Sequence, residues 1–146
     1  LMLYQHLLVP IDGSETSMVA MKEAIKLGKA LNSKITVVQV MALDPFIADV
    51  YVKTGQTNEL IERTRTYLLD ILEKAKQEFA KEGITVETKL LEGFVVHEEI
   101  IQAAQDLNAD LIVMGSHGRT GVRKLVLGSV AQKVLGESHI PVLIVR

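Results

Sequence analysis

Short, continuous apolar runs alternate with amphipathic helical periods along the whole chain, and this alternation limits the fold more than any other feature. Residues 4–11 read as a first strand, with Leu7-Leu8-Val9 apolar throughout, as in a strand covered on both faces. Pro10 cannot donate to a ladder, so pairing is expected to weaken near that strand's end. A helix follows over 15–31. Ala20, Ala24, Leu27 and Leu31 share one face at a 3.6-residue period, widened by Met21 and Gly28, while Lys22, Glu23, Lys26 and Lys29 lie opposite. Asn32-Ser33 ends it. Ile35 to Val40 is a second, β-branched strand.

Residues 43–56 show no clear period. A long helix is expected over 57–82, carrying Leu60, Ile61, Tyr67, Leu68, Ile71, Leu72, Ala75 and Phe79 at helical spacing, with Gly83 as its cap. Ile84, Val86, Thr88 and Leu90 alternate with Thr85, Glu87 and Lys89, which predicts a third strand with one wet face at a sheet edge. A helix over 96–107, a strand over 110–114, a helix over 129–137 and a strand over 140–145 complete the series. Strands that alternate with helices call for a Rossmann-like, doubly wound α/β fold, a parallel sheet with helices on both faces. Periodicity alone leaves the strand order open. With 146 residues and no linker, one domain spanning 1–146 is expected.

Glycine placement at the end of the fourth strand carries the functional signal. Met114-Gly115-Ser116-His117-Gly118 closes the apolar run, and Gly128-Ser129 opens the next helix after a nine-residue spacer. Glycine at a strand tip lets a ligand approach the backbone, and glycine at a helix start leaves amides uncovered. Those amides and the helix dipole favour an anion. The Ser129 hydroxyl is placed either to cap the helix or to bond a phosphate oxygen. No Walker-type loop and no Gly-x-Gly-x-x-Gly occurs. On the residues alone, a phosphate cradle and an ordinary glycine turn are equal readings.

The pattern Gly115-x-x-Gly118, nine residues, Gly128-Ser129 resembles the ATP-binding signature of the universal stress protein family. The opening Val9-Pro10-Ile11-Asp12-Gly13-Ser14-Glu15 and the closing Ile140-Pro141-Val142-Leu143-Ile144-Val145 are similar to that family too, so the resemblance spans the chain. It implies strand order 3-2-1-4-5, with Asp12 and Gly115 at a crevice between the first and fourth strands. It implies ATP, with Mg²⁺ or Mn²⁺ as a companion ion, or another adenine nucleotide as ligand. By the same resemblance, Asp12 faces the ribose, Pro10 and Ile11 form apolar walls, and the Val40 backbone meets the adenine edge. Gly115, Gly118, Gly128, Ser129 and Val130 meet ribose or phosphate, and Met114 lines the nucleotide. Residue chemistry alone also allows Asp12 as a turn residue, and Val40 and Met114 as core. His117 either donates to a phosphate or simply occupies the loop. Arg119, Arg123 and Lys124 read as a solvated loop, and His97 and His139 as surface or turn residues.

Composition removes other classes. Without cysteine there is no disulfide or thiolate site. A formal net charge of −2 gives no reason to expect nucleic acid or an anionic membrane. No apolar run approaches a membrane span and no signal-peptide pattern appears, so a cytoplasmic protein is expected. A phospho-accepting receiver domain would need an acidic pair after the first strand and an Asp ending the third, yet Asp12 stands by itself and the third strand ends Leu90-Leu91-Glu92. The expected function is a nucleotide-dependent regulator of stress response and survival that is not an efficient enzyme. The alternative is a slow ATP hydrolase or nucleotidyl-transferring enzyme on the same fold. The fifth strand is apolar on both faces but sits at an edge in the implied order, so a homodimer through Ile140–Val145 is expected.

Overall fold

The computed structural model describes residues 3–46, 49, 53, 59–118 and 127–146. Much of the segment 43–56, the helix start expected at 57, and Arg119, Arg123 and Lys124 lie outside the described residues. The described elements are β1 (His6–Pro10), α1 (Glu15–Leu31), β2 (Lys34–Ala42), α2 (Glu59–Lys81), β3 (Glu87–Gly93), α3 (Val96–Asp106), β4 (Leu111–Gly115), α4 (Ser129–Glu137) and β5 (Val142–Val145). The five strands form one parallel sheet in the order β3-β2-β1-β4-β5. That is the expected order, with β3 and β5 at its edges.

The two-residue period of a strand divides the core. Leu7, Val9, Ile35 and Val37 face α1 and α2, where they meet Met21, Ala24, Leu72 and Phe79. Leu8, Val38, Ile112 and Met114 face α3 and α4, where they meet Ile100, Ala103, Ala131 and Val134. Both faces of β1 are therefore buried, which accounts for its unbroken apolar sequence. At the ends of the helices, Ser14 caps α1 by accepting from the Ser17 amide, and Asn32 ends it in the left-handed region at φ 55°. Past α2, Gly83 takes φ +78° as its capping role requires.

β3 begins three residues later than the alternation suggested. Ile84 and Val86 do point inward, but they pack on the first cluster while the chain is still leaving α2. Ile84 N–H donates to Phe79 O at 3.0 Å, so this stretch is committed to the helix end before pairing with β2 begins at Glu87. β5 likewise starts at Val142, after Pro141.

At the amino ends of the strands, Asp110 clamps β1 to β4. Its carboxylate accepts from the Gln5 and His6 amides at 2.8 and 2.9 Å, and its own amide donates to His6 O. His6 is buried beside this clamp. Its Nδ1 lies 3.0 Å from Leu107 O and its Nε2 2.7 Å from Thr36 Oγ1. A neutral imidazole with its proton on Nδ1 donates to Leu107 O and accepts from the Thr36 hydroxyl. Burial, chiefly, holds the His6 pKa below its usual value.

Lowering the pH should therefore destabilise the fold through His6. The unfolded chain takes up a proton near pH ~6.5 and the folded chain only at lower pH. Stability is full above that range and is lost as pH falls through it, by about 1.4 kcal/mol for each pH unit of the interval. Urea midpoints at pH 7.5 and 5.5 should fall more for the wild type than for His6→Gln, which keeps a donor and an acceptor but does not titrate. Equal losses would show that His6 is not responsible.

Candidate functional site

β1 and β4 are adjacent, but their paired register covers only Leu7 with Leu111 and Leu8 with Ile112. Beyond this, β1 continues beside β2 to Pro10–Val38, and β4 continues beside β5 to Gly115–Val145. The two central strands part at their carboxyl ends because their crossovers leave toward opposite faces. A cavity of about 430 Å³ opens there, within the size range of small-molecule sites.

All eleven residues singled out from the sequence line this one cavity. Pro10, Ile11 and Asp12 come from the end of β1, and Val40 from β2. Met114, Gly115, His117 and Gly118 come from the end of β4 and the loop after it. Gly128, Ser129 and Val130 come from the start of α4. Five others join them: Ser17, Val96, Ile100, Ser116 and Ala131. Val96 and Ile100 lie one turn apart on α3, and both also pack in the second core cluster. Ser17 and Ser116 carried no sequence signal of their own.

Asp12 keeps both of its readings. Its Oδ1 accepts from the Ser14 amide at 2.9 Å, which shapes the turn into α1. Its Oδ2 faces Gly118 so closely that a β-carbon there would lie 2.9 Å away. Val40 offers main-chain atoms to the cavity. Ile11 N–H donates to Val38 O, so Val40, two residues on, directs its amide and carbonyl to the same side, beyond the last β1 pair. Met114 is both a core residue and a wall.

The glycines divide into two kinds. A β-carbon on Gly115 would meet the Thr16 backbone at 2.8 Å, so Gly115 is required by the contact between α1 and the tip of β4. At Gly118 and Gly128 the approach serves the loop itself. Gly128 N–H donates to Ser116 O at 2.7 Å, and a β-carbon on Gly128 would lie 3.3 to 3.6 Å from Ser116 O, His117 Cα and Gly118 N. The two glycine segments thus stack main chain on main chain. Thr16 Oγ1 donates to His117 O and ties the same loop to α1.

Ser129 does not cap α4. Gly128, which has no side chain to bond the first turn, holds the cap position. Gln132 N–H donates to Gly128 O at 3.0 Å, so the first turn of Ser129, Val130 and Ala131 brings the positive end of the helix dipole to the cavity that these residues line. The Ser116 hydroxyl lies 2.9 Å from His117 Nδ1, and Ser116 is only 2% exposed, so this contact holds one nitrogen of the imidazole. Among the described residues, no cluster of three or more His, Asp or Glu side chains is placed to hold a metal. His97, expected at the surface, is instead buried, and its Nε2 lies 3.0 Å from Glu137 Oε2, joining α3 to the far end of α4. His139 is exposed, as expected.

A parallel sheet of order 3-2-1-4-5, with a glycine-rich cavity at its switch point, defines a doubly wound α/β protein with a small-molecule cleft. The chain belongs to the universal stress protein family, whose model matches residues 3–146. It is similar to universal stress protein MJ0531 of Methanocaldococcus jannaschii, 35% identical over 99% of this chain and 83% of that one. The solved structure of MJ0577, a universal stress protein of the same organism, superposes with a TM-score of 0.83 at 31% identity, covering 98% of this chain and 96% of that one. A universal stress protein solved in complex with cAMP is 25% identical, with a TM-score of 0.72 over 99% of this chain and 98% of that one.

The two kinds of glycine should respond differently to a single methyl group. Gly115→Ala is expected to destabilise by roughly 1–3 kcal/mol, since backbone and not a movable side chain occupies the space. Among the described residues, Gly118→Ala meets the tip of the Asp12 carboxylate, and it should change stability by less than about 0.5 kcal/mol. Thermal melts of both variants decide this, and equal destabilisation would refute the distinction.

Proposed function

We propose that this chain is an ATP-binding universal stress protein, a single cytoplasmic domain that binds ATP or another adenine nucleotide and regulates stress response and survival. The observation that carries the reading is the stacked glycine cradle, in which Gly118 and Gly128 bring bare main chain to a cavity that the uncapped start of α4 also faces. The remaining chemistry fits around it. Val40 offers one donor and one acceptor in line, as an adenine edge needs, between apolar walls from Ile11, Val96, Ile100 and Met114. Asp12 suits ribose hydroxyls and would repel a phosphate. The cAMP complex of a relative supports an adenine nucleotide as the ligand class. Mg²⁺ or Mn²⁺ would arrive bound to the phosphates.

Binding without efficient turnover is the stronger form of this proposal. Asp12 Oδ1 is engaged by its turn, and the His117 imidazole is held by Ser116. A bound nucleotide would instead favour one arrangement of the surface and so one set of partners. Titration calorimetry should show ATP binding that falls at least roughly tenfold in a Gly118→Val, Gly128→Val variant. Phosphate release under saturating Mg-ATP should stay well below about 1 s⁻¹. Unchanged affinity in a folded variant would remove the cradle from the site, and turnover of several per second would favour the hydrolase reading.

The proposal includes a homodimer through β5. This strand pairs with β4 on one side, is short and uncharged, and exposes Leu143. Two such edges joined about a two-fold axis would cover each other. Val142 and Ile144 pack on the second core cluster, so the informative substitution is Leu143→Lys. Light scattering should give twice the 16.1 kDa chain mass for the wild type and a shift toward the monomer for the variant. A wild-type monomer at micromolar concentration would refute the assembly.

A further inference from the structure

We infer that Thr16 is a positioning residue that aims the loop amides of the anion cradle, an inference that rests on the nucleotide reading above. Thr16 lies in the first turn of α1 and touches the loop after β4 twice. Its backbone packs against Gly115, and its hydroxyl donates to His117 O. The second contact fixes a direction. In a trans peptide the carbonyl and the following N–H point oppositely. With His117 O drawn to Thr16, the Gly118 N–H points away from α1.

The preceding peptide is fixed in the same way. Ser116 O accepts from Gly128 N–H, so the His117 N–H is turned from that bond. Two consecutive carbonyls are thus engaged by the protein, one by a side chain of α1 and one by the start of α4. Amides held in this manner form an anion-binding concavity without any cation of their own. The Ser14 hydroxyl, which caps α1, lies 3.2 Å from Thr16 Oγ1, so the helix cap and the loop share one chain of hydroxyl contacts. Removing the Thr16 hydroxyl frees the 117–118 peptide to rotate, while the apolar walls and the Val40 backbone stay in place.

The consequence is selective. Thr16 should matter for the phosphate part of a ligand and not for the nucleoside part. Dissociation constants for adenosine and for AMP, measured on wild type, Thr16→Val and Thr16→Ser, test this. Valine keeps the branched shape without the donor, and serine keeps the donor. The expected result is that Thr16→Val weakens AMP about tenfold and adenosine less than about twofold, and that Thr16→Ser restores the wild-type preference for AMP. An unchanged AMP-to-adenosine ratio in Thr16→Val overturns the inference while leaving the nucleotide reading standing. So does an equal loss for both ligands, which marks a merely structural role. Failure of the wild type to bind either ligand overturns the nucleotide reading and this inference with it.

Discussion

The brief pairing of β1 with β4 governs the rest of the molecule. Two central strands that share only two register positions must diverge, and each is held on its course by a longer partnership with its outer neighbour, β2 or β5. Their divergence opens the cavity, and everything that lines it is the natural end of an element built for burial. Pro10 ends β1 where pairing is no longer wanted. Gly115 ends β4 where α1 crosses too closely for a side chain. The site is therefore a product of topology, and its chemistry is added by the few residues that follow each strand.

This chemistry is mainly main-chain. The described walls are largely apolar, the charged group among them is Asp12, and amides and carbonyls left over where ladders stop or a helix starts add to the polar side chains of Ser17, Ser116, His117 and Ser129. Such a surface is rigid because its directions are set by bonds made elsewhere, such as Ile11 to Val38, Gly128 to Ser116 and Thr16 to His117. It suits recognition by shape and hydrogen bonding.

Much of this was legible in the sequence, for identifiable reasons. The face of α1, the continuous burial of β1 and the glycine spacing after β4 are local patterns, and each predicts its own neighbourhood. The strand order came from family resemblance, since periodicity does not record which strands are neighbours. What escaped depends on distance along the chain. Ser17 and Thr16 look like ordinary first-turn residues until β4 is brought beside them. Val96 and Ile100 are core by composition and cavity wall by position. His97 reads as a surface or turn residue, and only the packing of α3 on α4 shows it buried against Glu137. The late start of β3 is a competition between two uses of Ile84 and Val86, as helix-end packing or as ladder, and sequence alternation does not distinguish them.

The clamp at Asp110 gives the two central strands the mechanics of a fork. Its handle is closed by three main-chain contacts to a carboxylate and a carbonyl, and its tines are joined to different outer strands. A load applied between the tines is resisted at the handle and is passed outward to β2 and β5. The outer edge beside β5 is the surface most directly in line with β4. A displacement of one tine is therefore carried, through the β4–β5 ladder, to the outer edge of the sheet.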